Sequence, residues 1–153
     1  MIVVVAGIAR RSGKIMFCQR RPVGHDPSKW EFPGGKVEPG EGPERALERE
    51  LREELRIQTR TGRIYDVRHR IDGARELLLL FYFTELTAGE PEPVECSAVE
   101  WVEPARLAEY DLAPSDALVA ARLSEELQSA DILDAKMYLS ARNPSGGEGT
   151  VLY

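Results

Sequence analysis

Three glutamates, Glu50, Glu53 and Glu54, lie close together in a short segment directly after Arg49. Pro43 suits the first turn of a helix, so the residues that follow it are predicted to be helical. Carboxylates at i, i+3 and i+4 are neighbours on one side of a helix. Such a group of oxygen ligands suits hard cations such as Mg²⁺ or Mn²⁺. The segment therefore predicts a site for a divalent metal ion.

The alternative is an ordinary charged helix with one solvated face. It accounts well for the sector that holds Arg45, Glu48, Arg49 and Arg52, where Glu48 and Arg52 have the favourable i,i+4 spacing. The opposite sector carries the apolar residues of the helix, and the three glutamates lie in it or at its edge. Burying carboxylates there costs several kcal/mol each unless a cation compensates. The pattern thus favours the metal site.

The spacing of these residues resembles the Nudix box, G-x5-E-x7-R-E-U-x-E-E-x-G-U, where U is apolar. The one departure is Arg56, which stands where the family has a glycine that permits a positive φ. We expect it to cost about 1 kcal/mol or to change the turn. The resemblance extends over residues 2–127. The matching residues are Gly35, Glu41, Arg49, Glu50, Leu51, Glu53, Glu54 and Ile57.

The resemblance implies an α/β fold, namely an α/β/α sandwich around a mixed β-sheet. The box would form a loop, a helix and a loop that hold Mg²⁺ or Mn²⁺. Water would attack a phosphorus within a polyphosphate, and a phosphate group would leave. The W-E-F-P-G-G-K stretch at 30–36 is similar to that of the MutT branch, the nucleoside triphosphate pyrophosphohydrolases.

The same resemblance implies individual roles within the box. Arg49 would orient the glutamates, and its partner in a bidentate pair would be Glu41. The implied metal ligands are Glu50, Glu53, Glu54 and the carbonyl of Gly34.

The MutT branch has one further carboxylate, in the loop before the penultimate strand. Counting back from Trp101 places Glu95 there, either as a metal ligand or as the base that takes the proton of the attacking water. Glu92, Glu100 and Glu103 are competing candidates.

The phosphates need cations, and the sequence offers Lys36 beside the two glycines and Arg20 or Arg21 at the end of the second predicted strand. For each arginine, an ordinary surface position is the alternative. The base is expected to meet Phe32, Leu77, Arg75 at the rim, and the segment 112–116.

Asp116 is expected to discriminate between bases. Read alone, it is an acid at a helix N-terminus, where the dipole favours it. In the branch it stands where 8-oxoguanine hydrolases carry a base-reading asparagine, and L-A-P-S-D at 112–116 resembles the L-A-P-A-D of CTP pyrophosphohydrolases. A carboxylate accepts hydrogen bonds, which suits the exocyclic amino group of cytosine, although guanine also offers donors.

These residues predict a Mg²⁺-dependent nucleoside triphosphate pyrophosphohydrolase that releases a monophosphate and pyrophosphate. CTP, dCTP and modified pyrimidine nucleotides are the expected substrates, and 8-oxo-dGTP is the alternative. A different class, a non-catalytic Nudix-like nucleotide-binding module, is disfavoured because all three box glutamates and Arg49 are present.

Composition narrows the setting. The formal net charge of −6 argues against a nucleic-acid polymer as partner, and no apolar run approaches the roughly 20 residues of a membrane span. Cys18 and Cys96 are expected to be reduced core thiols rather than a disulfide or a metal site, which indicates a cytoplasmic protein. His25 and His69 lack metal-binding spacing. The chain is expected to be a monomer or a homodimer.

The elements that must position these side chains follow from periodicity and turn signals. One domain is expected over 1–138, followed by a flexible tail at 139–153. Asp72-Gly73 is predicted as a hairpin turn. Strands are predicted at 2–9, 15–19, 63–71, 76–84 and 98–102, and helices from Pro43, at 104–110 and at 114–127.

Overall fold

A computed structural model of the protein describes residues 1–129. The end of the predicted domain, 130–138, and the predicted tail, 139–153, lie outside the described residues. Within residues 1–129, no helix has the length and apolar character needed to cross a membrane.

The elements agree in type with most of the sequence predictions. The helix predicted at 104–110 is a short 3₁₀-helix, at Pro104–Glu109. Two short strands in the W-E-F-P-G-G-K stretch were not predicted. The elements are β1 (Ile2–Arg11), β2 (Lys14–Gln19), β3 (Trp30–Glu31), β4 (Gly34–Lys36), α1 (Pro43–Leu55), β5 (Gln58–Asp72), β6 (Arg75–Ala88), β7 (Ala98–Val102) and α2 (Pro114–Ser129).

The strands form a mixed sheet around β1. β1 runs parallel to β6 from the pair Ile2 and Leu77 to the pair Ala9 and Thr84. It also pairs antiparallel with β2 and with β4, while β7 and β3 pair with β2. β5 is the antiparallel neighbour of β6 at the edge. Asp72 pairs with Arg75, so the hairpin turn lies at 73–74, one residue later than predicted.

The central strands are apolar on both faces because each face is covered by a helix. Along β6, Phe81 and Phe83 belong to the cluster under α2, whereas Tyr82 between them belongs to the cluster under α1. The same alternation places Phe17 of β2 on the α2 side and Cys18 on the α1 side. The α/β/α sandwich implied by the resemblance is therefore confirmed.

The end of α1 settles the question raised by Arg56. Arg56 has the left-handed conformation, with φ 56° and ψ 35°, and its N–H donates to the carbonyl of Arg52 at 3.0 Å. The turn thus keeps the backbone conformation that favours glycine, although an arginine occupies it. We predicted either a cost in free energy or a changed turn. The turn is unchanged, so the expected cost is that of a non-glycine residue in the left-handed conformation.

Replacing Arg56 with glycine is expected to raise the free energy of unfolding by about 1 kcal/mol, because glycine adopts positive φ without a Cβ contact. Urea unfolding of the two proteins measures the difference. Arg56→Ala is the control: it keeps the Cβ and removes the rest of the side chain, including the guanidinium, whose contact with Glu92 at 3.5 Å is exposed. Equal stabilisation by alanine and glycine would assign the effect to charge instead of backbone.

Candidate metal and nucleotide site

Arg49 lies at the centre of the box carboxylates. Its Nε donates to Glu41 Oε2 at 2.7 Å and its Nη2 to Glu41 Oε1 at 2.9 Å, which is the expected bidentate pair. Its Nη1 donates to Glu50 at 2.9 Å and to Glu53 at 3.2 Å, and its Nη2 also reaches the carbonyl of Lys36. The Arg49 guanidinium therefore fixes three carboxylates and the end of β4 relative to one another.

This position corrects the predicted solvated face of α1. Arg45 and Arg52 are exposed as expected. Arg49 was placed in the same sector, yet its side chain is only 14% exposed. Glu48 is half-buried and accepts a hydrogen bond from the N–H of Thr61 at 3.3 Å. Long side chains reach around a helix, so a sector drawn from Cα positions misplaces their charged ends.

The three box glutamates differ in burial. The Glu53 side chain is 51% exposed, and Glu50 is largely covered. Glu54 is only 7% exposed, and its Oε2 has no hydrogen-bond partner. Burial raises the pKa of Glu54 to about 9 and also raises the pKa of Glu50. A buried carboxylate oxygen without a partner is costly, and a divalent cation satisfies it. The all-oxygen donor set fits Mg²⁺ or Mn²⁺.

Two glycines let the backbone approach these carboxylates. A Cβ on Gly35 would lie 2.3 Å from Cδ of Glu50, and a Cβ on Gly34 would lie 1.9 Å from the carbonyl oxygen of Val5. Neither contact is sterically possible. The Gly34–Gly35 loop therefore presents bare backbone to the glutamates of α1.

The loop that carries Glu95 is fastened to the end of α1. The N–H groups of Val94 and Glu95 donate to the carbonyl of Glu54 at 3.1 and 3.4 Å. Glu95 and Glu54 line one cavity of about 320 Å³, together with Cys96 and Arg21. The structure thus brings Glu95 beside the box carboxylates.

The competing carboxylates lie elsewhere. Glu92 contacts the exposed Arg56, Glu100 accepts a hydrogen bond from the Tyr110 hydroxyl, and Glu103 is exposed just before the 3₁₀-helix. None of the three lines the cavity that holds Glu54.

A second cavity, of about 340 Å³, adjoins the Gly34–Gly35 loop. Most of the residues predicted for the base line it, and so does Lys36; of the segment 112–116, only Ala113 and Asp116 do. Arg20 lines both cavities, whereas Arg21, which is exposed, lines only the smaller one and donates to the carbonyl of Val94. The base-pocket residues brought together are Phe32, Arg75, Leu77 and Asp116.

Asp116 is held at the wall of this cavity. The N–H of Trp30 donates to the backbone carbonyl of Asp111, and the N–H of Ala113 donates to the backbone carbonyl of Trp30. These hydrogen bonds fix the residues before α2 to β3. The N–H of Phe32 donates to Asp116 Oδ1 at 2.9 Å. Asp116 is only 4% exposed, and burial raises its pKa to about 7, with Glu31 as a further cause.

Sequence reasoning missed three charged residues of this cavity, Asp26, Glu31 and Arg70. Glu31 pairs with Arg20 at 2.7 Å, so Arg20 is partly committed to a protein carboxylate and is not a free phosphate ligand. Arg70 pairs with Leu77 across the hairpin and shares its face of the sheet. The hairpin register decides this: the observed turn at 73–74 places Arg70 opposite Leu77, whereas the predicted turn at 72–73 would have placed Arg68 there.

Comparison with known proteins agrees with this geometry. The family model described as NUDIX domain matches residues 1–123. The chain therefore belongs to the Nudix family. Its fold agrees with this match, since a helix that carries carboxylates packs against a glycine loop within an α/β/α sandwich. Nudix hydrolases generally use divalent metal ions.

The relatives place the chain in the MutT branch of nucleotide hydrolases. It is 40% identical over 116 residues to the CTP pyrophosphohydrolase of Escherichia coli K12, over 76% of this chain and 86% of that protein. It is 35% identical to the 8-oxo-dGTP diphosphatase of the same strain, over 78% and 94% of the two chains. The solution structure of the E. coli ORF135 protein aligns at a TM-score of 0.73 and 37% identity, over 86% of this chain and 94% of that one. The chain is accordingly an enzyme and not a binding module.

Gly35→Ala is expected to lower nucleoside triphosphate hydrolysis about 10- to 100-fold, because the new methyl group displaces the Glu50 carboxylate. Steady-state kinetics with a Mg²⁺ titration tests this. Gly42→Ala is the matched control, since its Cβ would meet only Glu44 Oε2 at 3.9 Å. Normal kinetics in Gly35→Ala would show that the position of Glu50 is not needed.

Proposed function

We propose that the protein hydrolyses nucleoside triphosphates to the monophosphate and pyrophosphate with Mg²⁺ or Mn²⁺, and that cytosine nucleotides are its preferred substrates. The observation that carries the proposal is that one loop adjoins both the base cavity and the carboxylates of α1. Gly34 and Gly35 line the 340 Å³ cavity, and Gly35 lies directly against Glu50. A nucleotide whose base occupies the cavity would extend its phosphates across this loop towards the carboxylates of α1.

The metal would be held by Glu50, Glu53, Glu54 and the carbonyl of Gly34. When bound, it would neutralise the negative charge of the phosphates and would lower the pKa of a water molecule bound to it. Glu95 lines the cavity beside Glu54 and is our candidate for the group that takes the proton of the attacking water.

The remaining polar residues orient the reactants. Arg49 holds Glu41, Glu50 and Glu53 in one arrangement, and this removes the cost of ordering them during the reaction. Lys36 lines the base cavity and Arg21 lines the cavity of Glu54 and Glu95, and both would supply positive charge to the phosphates. The reaction adds water across one P–O–P bond, so a pyrophosphate and a monophosphate leave.

The reaction is tested by replacing Glu53 and Glu95 separately with glutamine, which keeps the shape and removes the charge. Glu53→Gln is expected to lower kcat by orders of magnitude, and Glu95→Gln by about 100-fold or more, with melting temperatures unchanged. Released pyrophosphate and monophosphate are measured with dCTP and Mg²⁺.

Glu103→Gln is the control for the second variant, because Glu103 is an exposed acid outside the cavity. Full activity in excess chelator, or normal turnover by Glu53→Gln, would contradict the metal mechanism. Loss of activity in Glu103→Gln but not in Glu95→Gln would contradict the role of Glu95.

The cytosine preference rests on the charge of the base cavity. Asp116 is its most buried acid, with one oxygen already accepting from Phe32, and its second oxygen would accept from the exocyclic amino group of cytosine. Arg70 and Arg75 line the same cavity. They pair with Asp26 at 3.3 Å and with Asp72 at 2.6 Å, respectively, and their remaining N–H groups can donate to base carbonyl oxygens. The name of the 40% identical relative supports the same choice. The second candidate, 8-oxo-dGTP, is supported by the name of the 35% identical relative.

The preference is expected to depend on pH, since burial raises the pKa of Asp116 to about 7. Above that pH the carboxylate only accepts, and below it the protonated acid also donates. The ratio of kcat/KM for dCTP to that for 8-oxo-dGTP should therefore rise as the pH increases through 7. Because both substrates undergo the same hydrolytic step, the effect of pH on that step cancels in the ratio of the two kcat/KM values.

Asp116→Asn is the matched variant, because asparagine both donates and accepts at every pH. It should lower the ratio about 10- to 100-fold and remove its pH dependence. A native enzyme that prefers 8-oxo-dGTP by tenfold or more would overturn the cytosine assignment and leave the hydrolase reaction intact.

A further inference from the structure

Cys18 and Cys96 are far apart in the sequence but adjacent in the fold. Both are buried free thiols in the core under α1, as predicted. Their position together beside a box glutamate was not predicted. The two sulfur atoms and a carboxylate oxygen of Glu54 all lie within 4.8 Å of one another.

Three separate elements create this cluster. Cys18 lies on β2, opposite Val99 of β7. Cys96 precedes β7, and the next residue, Ser97, donates its N–H to the carbonyl of Gln19 at 2.9 Å. Glu54 comes from the last turn of α1. Since strand pairing and helix packing fix all three, the cluster needs only small side-chain movements to close on an ion.

Two thiolates and one carboxylate are a donor set for a borderline-soft cation such as Zn²⁺. Two sulfur ligands that each lie about 2.3 Å from one tetrahedral ion are roughly 3.8 Å apart. The ligand atoms of the cluster lie within 4.8 Å of one another, so they can reach this arrangement with small movements. Glu54 supplies a second indication, because its Oε2 is buried without a hydrogen-bond partner. The cluster thus combines two soft sulfur ligands with a buried carboxyl oxygen that has no hydrogen-bond partner.

The cluster can be reached from solvent. Glu54 and Cys96 both line the 320 Å³ cavity, so an ion could enter there and a water could complete its coordination from that side. Arg20 and Arg21 also line this cavity, but Glu31 and Glu95 are present with them, and Arg20 is paired with Glu31 at 2.7 Å. The arginines therefore do not make the cavity a site for anions alone.

We propose that Cys18, Cys96 and Glu54 form a binding site for Zn²⁺, and that its occupation removes Glu54 from the oxygen ligands on α1 and inhibits hydrolysis. The inhibition rests on the proposed function, whereas the binding does not. Mg²⁺ prefers oxygen ligands and does not compete for the thiolates, so the two metals compete only through Glu54.

Cd²⁺ is a direct probe, because its bonds to thiolates absorb in the ultraviolet. The Mg²⁺-free, reduced protein is titrated with Cd²⁺, and the native chain is expected to show the thiolate absorption with one equivalent bound and a raised melting temperature. Cys18→Ser and Cys96→Ser should each weaken binding about tenfold or more. Glu53→Gln is the matched control, since it removes a box carboxylate but none of the three ligands.

Absence of the absorption in the native protein, or unchanged binding in both serine variants, would overturn the site. The melting temperatures of the apo variants show whether they are folded, and the titration of the native chain decides the question even if one is not. Because absorption is read without substrate, this result stands whether or not the hydrolase reaction is correct.

Inhibition is measured separately with dCTP and saturating Mg²⁺ while Zn²⁺ is added. The native enzyme should lose activity, and the two serine variants should keep their Mg²⁺-dependent rates and resist Zn²⁺. Cadmium binding without zinc inhibition in the native enzyme would overturn the coupling through Glu54. Equal inhibition of the serine variants would place the inhibitory ion elsewhere.

Discussion

The guanidinium of Arg49 is the interaction on which the candidate active site depends. Glu41, Glu50 and Glu53 converge on it within 3.2 Å, and without a cation between them their negative charges would repel one another. Its hydrogen bonds keep the pKa of Glu41 low, and they act against the burial that raises the pKa of Glu50. The same side chain reaches the carbonyl of Lys36 and so ties the end of β4 to α1. The half-buried guanidinium of Arg49 thereby joins the two elements that meet the phosphates in our proposal.

The two cavities are not independent. Arg20, His25 and Glu31 line both, with Arg20 donating to Glu31 and to the carbonyl of His25. A base that displaced Glu31 from Arg20 would free positive charge next to the cavity of Glu54 and Glu95. The residues shared by the two cavities therefore give a route by which the base could influence the position of the phosphates. The charge-assisted pair of Arg20 and Glu31 would be exchanged for contacts with the nucleotide.

The parts of the site that could be predicted are those in which local sequence fixes geometry. Helical spacing places Glu50, Glu53 and Glu54 together, and periodicity with turn signals predicted most of the strands. The α/β/α arrangement of these elements was implied by the resemblance to the Nudix family. The misplacement of Arg49 came from the length of its side chain, and Arg70 was missed because its position depends on the register of a hairpin. The contact of Cys18 with Cys96 depends on the pairing of β2 with β7, which no local pattern encodes. Non-local pairing therefore marks the limit of what could be inferred from a single sequence.

The left-handed turn at Arg56 has a consequence for how this motif is found in other chains. The position after α1 is defined by backbone conformation, and an arginine meets that requirement here at a local cost. A search that insists on glycine would reject this chain, although every carboxylate of the pattern is in place. A search that scores the ability to adopt positive φ, with asparagine ranked just after glycine and longer side chains below it, would retain it.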